Sequence, residues 1–463
     1  MKLRLLLLAI AITAPLTLAA QASYSWEADL HHRLLRDFCR THDEVKTYIQ
    51  RYVPDITEEE MLRLEGTRAI ETMTLDGQKR YFSQAGPNLF RIDPAYAAIK
   101  LQKDGIPRHT PEAGFTFPHD GYECVDATNI PAIIHEAPKN KHHLAEPKNL
   151  KVRYTLTVKA DAVPAGTTIR CWLPFPQTDN PRQTKVKLLS TSEKKYIRSN
   201  NNISCHSTLY MEKKAVAGQP TVFSEEFSYW SSGYWAGLRP ELVQPYDSTT
   251  LNYALYTVES PPHIVFTPRI RHLADSLTAG EQNPLLRARR IFKWINDNFP
   301  WASAREYSTI PCIPEYVLDN HHGDCGQVSL LFITLCRAAG IPAHFESGFM
   351  MHPGYDNLHD WAEVYFEGVG WVPADQSFGI PAIARQPSVN AATTDIPQDD
   401  LTYFFLGGID SWRMVVNSDY GMPLYPAKRY PRSETVDFQR GEVETDLGNL
   451  YFDQWSWKLE IAP

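Results

Sequence analysis

Beyond its first twenty-two residues the 463-residue chain has no apolar run long enough to cross a bilayer, so no integral membrane span is expected in the mature protein. Basic residues are not in excess either. Lys and Arg number 46 against 54 Asp and Glu, and no basic stripe could neutralise phosphates, which argues against nucleic acid as a partner. The chain lacks a Gly-rich nucleotide loop, a Gly-x-Ser-x-Gly elbow, an HExxH pair and paired CxxC motifs. No metal or other cofactor is therefore expected. The pairs His31-His32, His142-His143 and His321-His322 lack companion ligands, and Pro138 interrupts the helix that would bring a second histidine beside His135. Internal repeats and low-complexity tracts are absent as well.

What is present is globular. The hydrophobic content of 43% and aromatic content of 12% are too high for a disordered chain, and the length allows several domains, each with its own core. The 34 prolines are scattered, which suggests many ordered loops. Lys2 and Arg4, the apolar run Leu5 to Ile12 and the small-residue site Ala20-Gln21-Ala22 form the three-part pattern of a cleavable export signal. The expected location is periplasmic or extracellular. In such a disulfide-permissive compartment the seven cysteines, an odd number, leave at least one thiol unpaired; Cys171 with Cys205 and Cys39 with Cys124 are the pairs considered.

From Trp26 to about Glu71 the apolar spacing is helical, with Leu30, Leu34, Leu35 and Phe38 on one stripe and a capped start at Thr57-Glu58-Glu59-Glu60. Between about Asn149 and Ser260 the period changes to two. Val152, Tyr154, Leu156 and Val158 alternate, as do Ile169, Cys171 and Leu173, which reads as an antiparallel β-sandwich. After the break at Pro261-Pro262, Asn283-Pro284 opens a helix carrying Leu285, Ile291, Phe292 and Ile295. The expected division is a signal peptide (1–22), an α-rich region (23–148), a β-sandwich (149–260), a catalytic domain (261–385) and a strand-rich extension (386–463).

The chemistry gathers in the fourth of these. His321-His322-Gly323-Asp324-Cys325-Gly326-Gln327 leads into the stripe Val328, Leu331, Phe332, Leu335, Cys336 and Ala339, ended by Gly340 and Pro342. Cys325 thus falls in the first turn of a buried helix, where unpaired N–H groups and the helix dipole favour a thiolate and could hold an oxyanion. Gly323 and Gly326 would let a substrate carbonyl approach the sulfur. Downstream, residues 359–366 and 371–375 read as two strands of a hairpin around Glu367-Gly368-Val369-Gly370. A register symmetric about Glu367 would set His359 opposite Asp375, so that the carboxylate orients the imidazole and the imidazole serves the thiol.

These blocks, Gly323-to-Gln327 with Leu335-to-Pro342, His359-to-Tyr365 and Gly370-to-Asp375, resemble in order and spacing the core of the transglutaminase-like superfamily. The resemblance covers about Pro284 to Gly379. It implies an α+β, papain-like core with Cys325, His359 and Asp375 as a Cys-His-Asp triad, and a cysteine acyl-enzyme that is a hydrolase or an acyltransferase. Trp301, Gly326, Trp361 and Trp371 are the candidate oxyanion or cleft residues, with Trp301 preferred to Trp294. Calcium, used by animal crosslinking members, is not carried over, because no EF-hand-like ligand run is present. A protein or peptide substrate, glycopeptides included, is expected. The thiol would attack an amide carbonyl to give a thioester, resolved by water slightly in preference to an amine. A crosslinking transglutaminase, or a non-catalytic glycan- or peptide-binding scaffold, are the alternatives.

Overall fold

The computed structural model describes residues 25–105, 129–199, 204–352, 355–381, 384 and 395–462. The export signal and Cys124 lie outside the described residues.

The N-terminal region is helical, as the spacing predicts. It holds α1 (Trp26–Asp37), α2 (His42–Gln50), α3 (Glu58–Gly66), the hairpin β1 (Thr72–Leu75) and β2 (Gln78–Tyr81), α4 (Ala85–Ile92) and α5 (Pro94–Asp104). Side-chain caps start these helices: Ser25 on α1, Thr41 in a capping box with Glu44 on α2, Thr57 on α3 and Asp93 before Pro94 on α5. Phe38, Ile49, Met61, Leu64, Leu89 and Phe90 close a core of their own.

A short α6 (Asn129–Glu136) precedes β3 (Leu144–Val158), β4 (Thr168–Pro174), β5 (Gln183–Thr191), β6 (Ile197–Arg198), β7 (Thr208–Lys214) and β8 (Thr221–Trp235). Two five-stranded antiparallel sheets share the second core, and the alternating residues Val152, Tyr154, Leu156, Val158, Ile169, Cys171 and Leu173 all point into it. The considered Cys171–Cys205 disulfide does not form, both being free thiols, while the pairing of Cys39 with Cys124 falls outside the described residues.

The next stretch runs through α7 (Leu251–Tyr256), α8 (Pro268–Thr278), α9 (Pro284–Asn298), α10 (Ile313–Asn320), α11 (Cys325–Ala338), β9 (Ala343–His352), β10 (Tyr355–Phe366) and β11 (Gly370–Ala374). Asn283 caps α9 through the N–H groups of Leu285 and Leu286, with Pro284 in its first turn. Residues Cys325 to Arg337 of α11 are all buried, and the helix packs against α8, α9, α10, β9 and β10 in the largest core.

After α12 (Gln398–Thr402) come β12 (Gly408–Ile409), β13 (Arg413–Ser418), β14 (Glu442–Thr445), β15 (Gly448–Leu450) and β16 (Trp455–Ala462). These C-terminal strands build no sheet of their own. β13 completes the four-stranded sheet β11-β10-β9-β13, β12 and β16 flank the sheet holding β3 and β8, and β14 and β15 extend the sheet holding β4. The mixed α+β architecture with several antiparallel sheets therefore depends on residues 408–462 for strands in three sheets.

Candidate active site

Cys325 opens α11. Asp324 is the N-cap, accepting from Gln327 N–H at 3.1 Å while Gln327 Oε1 accepts from Asp324 N–H at 3.1 Å. The thiol is 7% exposed and borders a cavity of ≈ 180 Å³ whose walls are the segments 304–308 and 433–440 together with Asp324, Asn357, Leu358 and Asp360.

The N-terminal helix shapes both walls. Asp37 accepts from Glu306 N–H at 2.9 Å, and Arg33, fully buried, donates to the Ser433 carbonyl at 2.9 Å and lies 4.2 Å over the Tyr451 ring. Burial and the neighbouring Glu306 push Asp37 up to about 7.

The sulfur's hydrogen bond goes to Asp360, with Sγ donating to Oδ2 at 3.5 Å. Tyr307 Oη donates to Asp324 Oδ1 at 2.6 Å and lies 3.5 Å from Asp360 Oδ2, while Gln439 Nε2 donates to Asp360 Oδ1 at 2.7 Å. This surrounding reverses the expected effect of the helix start. Burial first, then the carboxylates of Asp360 and Asp324, push the Cys325 thiol well above its ordinary range. Asp324 is pushed up to about 6 by burial, against the Tyr307 and Gln327 bonds. Asp360 is driven well up by burial and by Asp324. The two acids beside the sulfur thus favour a neutral thiol.

At Gly326 a Cβ would collide with Tyr307 Oη and Asp360 Oδ2, so the absent side chain makes room for these two groups beside the sulfur.

His359 and Asp375 meet, His359 Nε2 lying 2.7 Å from Asp375 Oδ2 with both side chains fully buried. The hairpin register is centred on Gly368 rather than Glu367, pairing Ala362 with Ala374 and Phe366 with Gly370. Continued outward, it sets Asp375 opposite Trp361, two residues from His359 and on the same face, so the contact forms on the diagonal. Arg413 Nη1 donates to the same Asp375 oxygen at 2.7 Å, and its other nitrogens reach Asp410 at 2.6 and 2.9 Å. Burial raises Asp375, but His359 and Arg413 together hold it below the usual carboxylate range. Burial outweighs Asp375 at the imidazole, which is held below its ordinary value and so is neutral at pH 7. Nε2 then carries the proton, leaving Nδ1 as an acceptor.

Adjacent strand residues point to opposite faces, and this separates the candidates. Asp360, with Ala362 and Val364, faces the side on which α11 packs; His359 faces the other, stacked 5.8 Å from Trp361. The structure therefore joins His359 to Asp375 and Cys325 to Asp360. The tryptophans lie elsewhere than the cavity walls. Trp301 bridges Gly323, two residues before Cys325, with Arg91 5.1 Å over its ring. Trp361 donates its indole N–H to Glu346, and Trp371 packs on His344 and Tyr256. Trp294 packs on Phe299 and borders a separate groove.

Tyr307, Asp360, Gln439, Arg440 and Arg413 were not singled out by sequence reasoning. Gln439 and Arg440 come from a stretch with no motif of its own. Asp360 could have been found: next to His359 on an alternating strand, one of the two must turn away from the helix.

Against known proteins, the model of the transglutaminase-like superfamily matches residues 271–376. An uncharacterized protein of Haemophilus influenzae is 26% identical over 233 residues, covering 44% of this chain and 61% of that protein. A protein-glutamine gamma-glutamyltransferase of Pseudomonas aeruginosa is 23% identical over 173 residues, covering 33% of this chain and 26% of that protein. The chain thus spans less than two thirds of these relatives. Among solved structures, a candidate cysteine protease from Cytophaga hutchinsonii aligns with TM-score 0.43 at 15% identity, covering 69% of this chain and 91% of that one. The periplasmic domain of TgpA from Pseudomonas aeruginosa aligns with TM-score 0.27 at 14% identity, over 59% and 94%. Residues 271–376 are thus similar, at low identity in the relatives, to the transglutaminase-like superfamily.

Proposed function

We propose that the chain is an exported cysteine acyl-enzyme that hydrolyses an amide bond in a peptide or protein, with residues 1–22 as its cleaved signal and the periplasm or cell exterior as its place of work. Cys325 is the nucleophile, His359 the base and Asp375 the orienting carboxylate. Among the described residues no helix is long and apolar enough to cross a membrane. The observation that carries the reading is a thiol in the first turn of a buried helix, bordering a cavity, one strand position from a neutral imidazole already paired to a carboxylate.

In the cycle, His359 Nδ1 takes the Sγ proton as the sulfur attacks the carbonyl carbon, and the new oxyanion faces the N–H groups at the start of α11. Collapse breaks the C–N bond, and the amine leaves with the proton from His359. Water, deprotonated by the same nitrogen, then opens the thioester to a carboxylic acid and restores the thiol. Before any of this, the 359–360 segment of β10 must turn over, since the two side chains lie on opposite faces of the strand and only Asp360 now faces the sulfur.

The test is mass spectrometry of a peptide pool treated with the wild type or with Cys325→Ala, with and without a primary amine. New termini that vanish in the variant, with a loss of about 10³-fold or more, are expected. Amine adducts would assign acyl transfer instead. Products unaffected by the substitution would end the proposal.

The bond from Sγ to Asp360 favours one second reading, a binding scaffold in which the thiol is inert. Alkylation by iodoacetamide separates the two: rapid labelling of Cys325, slowed in His359→Ala, supports the enzyme, and labelling slower than that of a free thiol in both proteins supports the scaffold.

A further inference from the structure

The cavity beside Cys325 is bordered by five carboxylates, Glu306, Asp324, Asp360, Glu434 and Asp437, against Arg305 and Arg440. Four of the five are engaged within the protein. Glu306 accepts from Arg440 at 3.1 and 2.9 Å and from Arg36 at 3.4 Å. Glu434 accepts from Arg440 Nε at 2.5 Å and from the N–H groups of Gln439 and Arg440. Asp324 caps α11 and takes the Tyr307 hydroxyl, while Asp360 takes Cys325 and Gln439.

Asp437 is different. It is 7% exposed and borders the cavity, yet among the described residues its carboxylate accepts no hydrogen bond and makes no ion pair. The cations whose charge it feels, Arg440 and Arg432, are committed to Glu306 and Glu434 and to Glu442. A buried carboxylate with no partner is costly, and this one stands beside Glu434 and Asp360, which add repulsion. A bound cation with N–H donors would relieve it.

We propose that Asp437, with Asp360 beside it, forms a subsite for a primary ammonium group carried on the peptide substrate. An ammonium has three donors on a compact charge, which suits neighbouring carboxylate oxygens in a small cavity better than a planar guanidinium does. The inference rests on Cys325 being the nucleophile, and it makes an amine-bearing residue next to the attacked amide the specificity element of the substrate. Seated there, the cation would also offset the negative charge that keeps the proton on Cys325.

Calorimetric binding to the full-length Cys325→Ala protein tests this without turnover. The probes are acetyl-Ala-Lys-Ala-amide, the same peptide with Nε-acetyl-lysine or norleucine, and n-butylamine. The lysine peptide is expected to bind at least about tenfold more tightly than the other two peptides. Adding Asp437→Asn should erase the preference, and adding Asp437→Glu should keep it, with the thermal midpoints of all three proteins confirming that they are folded. Equal affinities for the three peptides, or a preference that survives Asp437→Asn, overturn the proposal. Asp437-dependent binding of n-butylamine without a lysine preference among peptides assigns the subsite to a free amine and likewise overturns the peptide-borne assignment. If the preference holds while the wild type turns over no amide, the hydrolase reading fails and the subsite stands.

Discussion

Asp375 and Asp360 belong to one hairpin, and burial is nearly complete at both, 0% and 1% exposed. Yet they are held in opposite states. Asp375 has Arg413 and His359 against it and stays ionised; Asp360 has Cys325, Tyr307 and Gln439, none of them a cation, with Asp324 nearby, and is driven toward its protonated form. Burial alone thus fixes neither charge. On the His359 face each buried acid has a basic partner, whereas on the Cys325 face carboxylates outnumber cations around an open cavity.

Breaking the compensated face should have the largest consequence. Arg413→Met strands Asp375 and Asp410 without their shared cation and is expected to cost about 3–5 kcal/mol in urea unfolding. A loss below about 1 kcal/mol would mean that this face does not depend on its compensation.

A buried acid with neither cation nor cavity sharpens the comparison next. Glu225 on β8 points into the core of the two five-stranded sheets, 1% exposed, and neither oxygen has a hydrogen-bond partner among the described residues. Burial pushes it well above 4.5, so the folded state binds its proton more tightly than the unfolded chain does. Below about pH 4.5 both states are protonated and nothing is lost; as pH rises from there toward the folded value, stability falls. Glu225→Gln removes that slope. It should be more stable than the wild type by on the order of 1–2 kcal/mol at pH 8 and differ little at pH 4. A constant difference between the two pH values would contradict the assignment.

The smallest effect falls on the open face. Asp360→Asn removes the acid whose ionisation opposes that of the sulfur, so the Cys325 pKa should drop and alkylation in the alkaline range, where that acid is ionised, should quicken by about tenfold, one unit of thiol pKa. Asp375→Asn, on the other face, should leave that resting rate nearly unchanged. Equal acceleration in both variants would show that the two faces act as one.

Local features were the readable ones. Capping chemistry and apolar period place α11 and its first residue, and turn residues with alternation place the hairpin. The pairing of His359 with Asp375 follows from the even spacing, although the register centre lies one residue further on than a turn at Glu367 suggests. The sign of the shift at Cys325 was not accessible, because the helix dipole is a local quantity whereas Asp360 and the burial around the sulfur come from tertiary packing. The walls of the cavity were equally hidden. Residues 433–440 reach Cys325 from more than a hundred positions away, and β12 to β16 interleave with sheets formed by earlier strands.

The grip of α1 on both walls bears on how the protein can be dissected. Arg33 fastens the 433–440 wall and Asp37 the 304–308 wall, so a fragment trimmed to the family core at 271–376 would lack one wall and the clasp holding the other. Such a fragment, even if it kept helix and hairpin intact, would present the sulfur to bulk solvent with no selectivity filter around it.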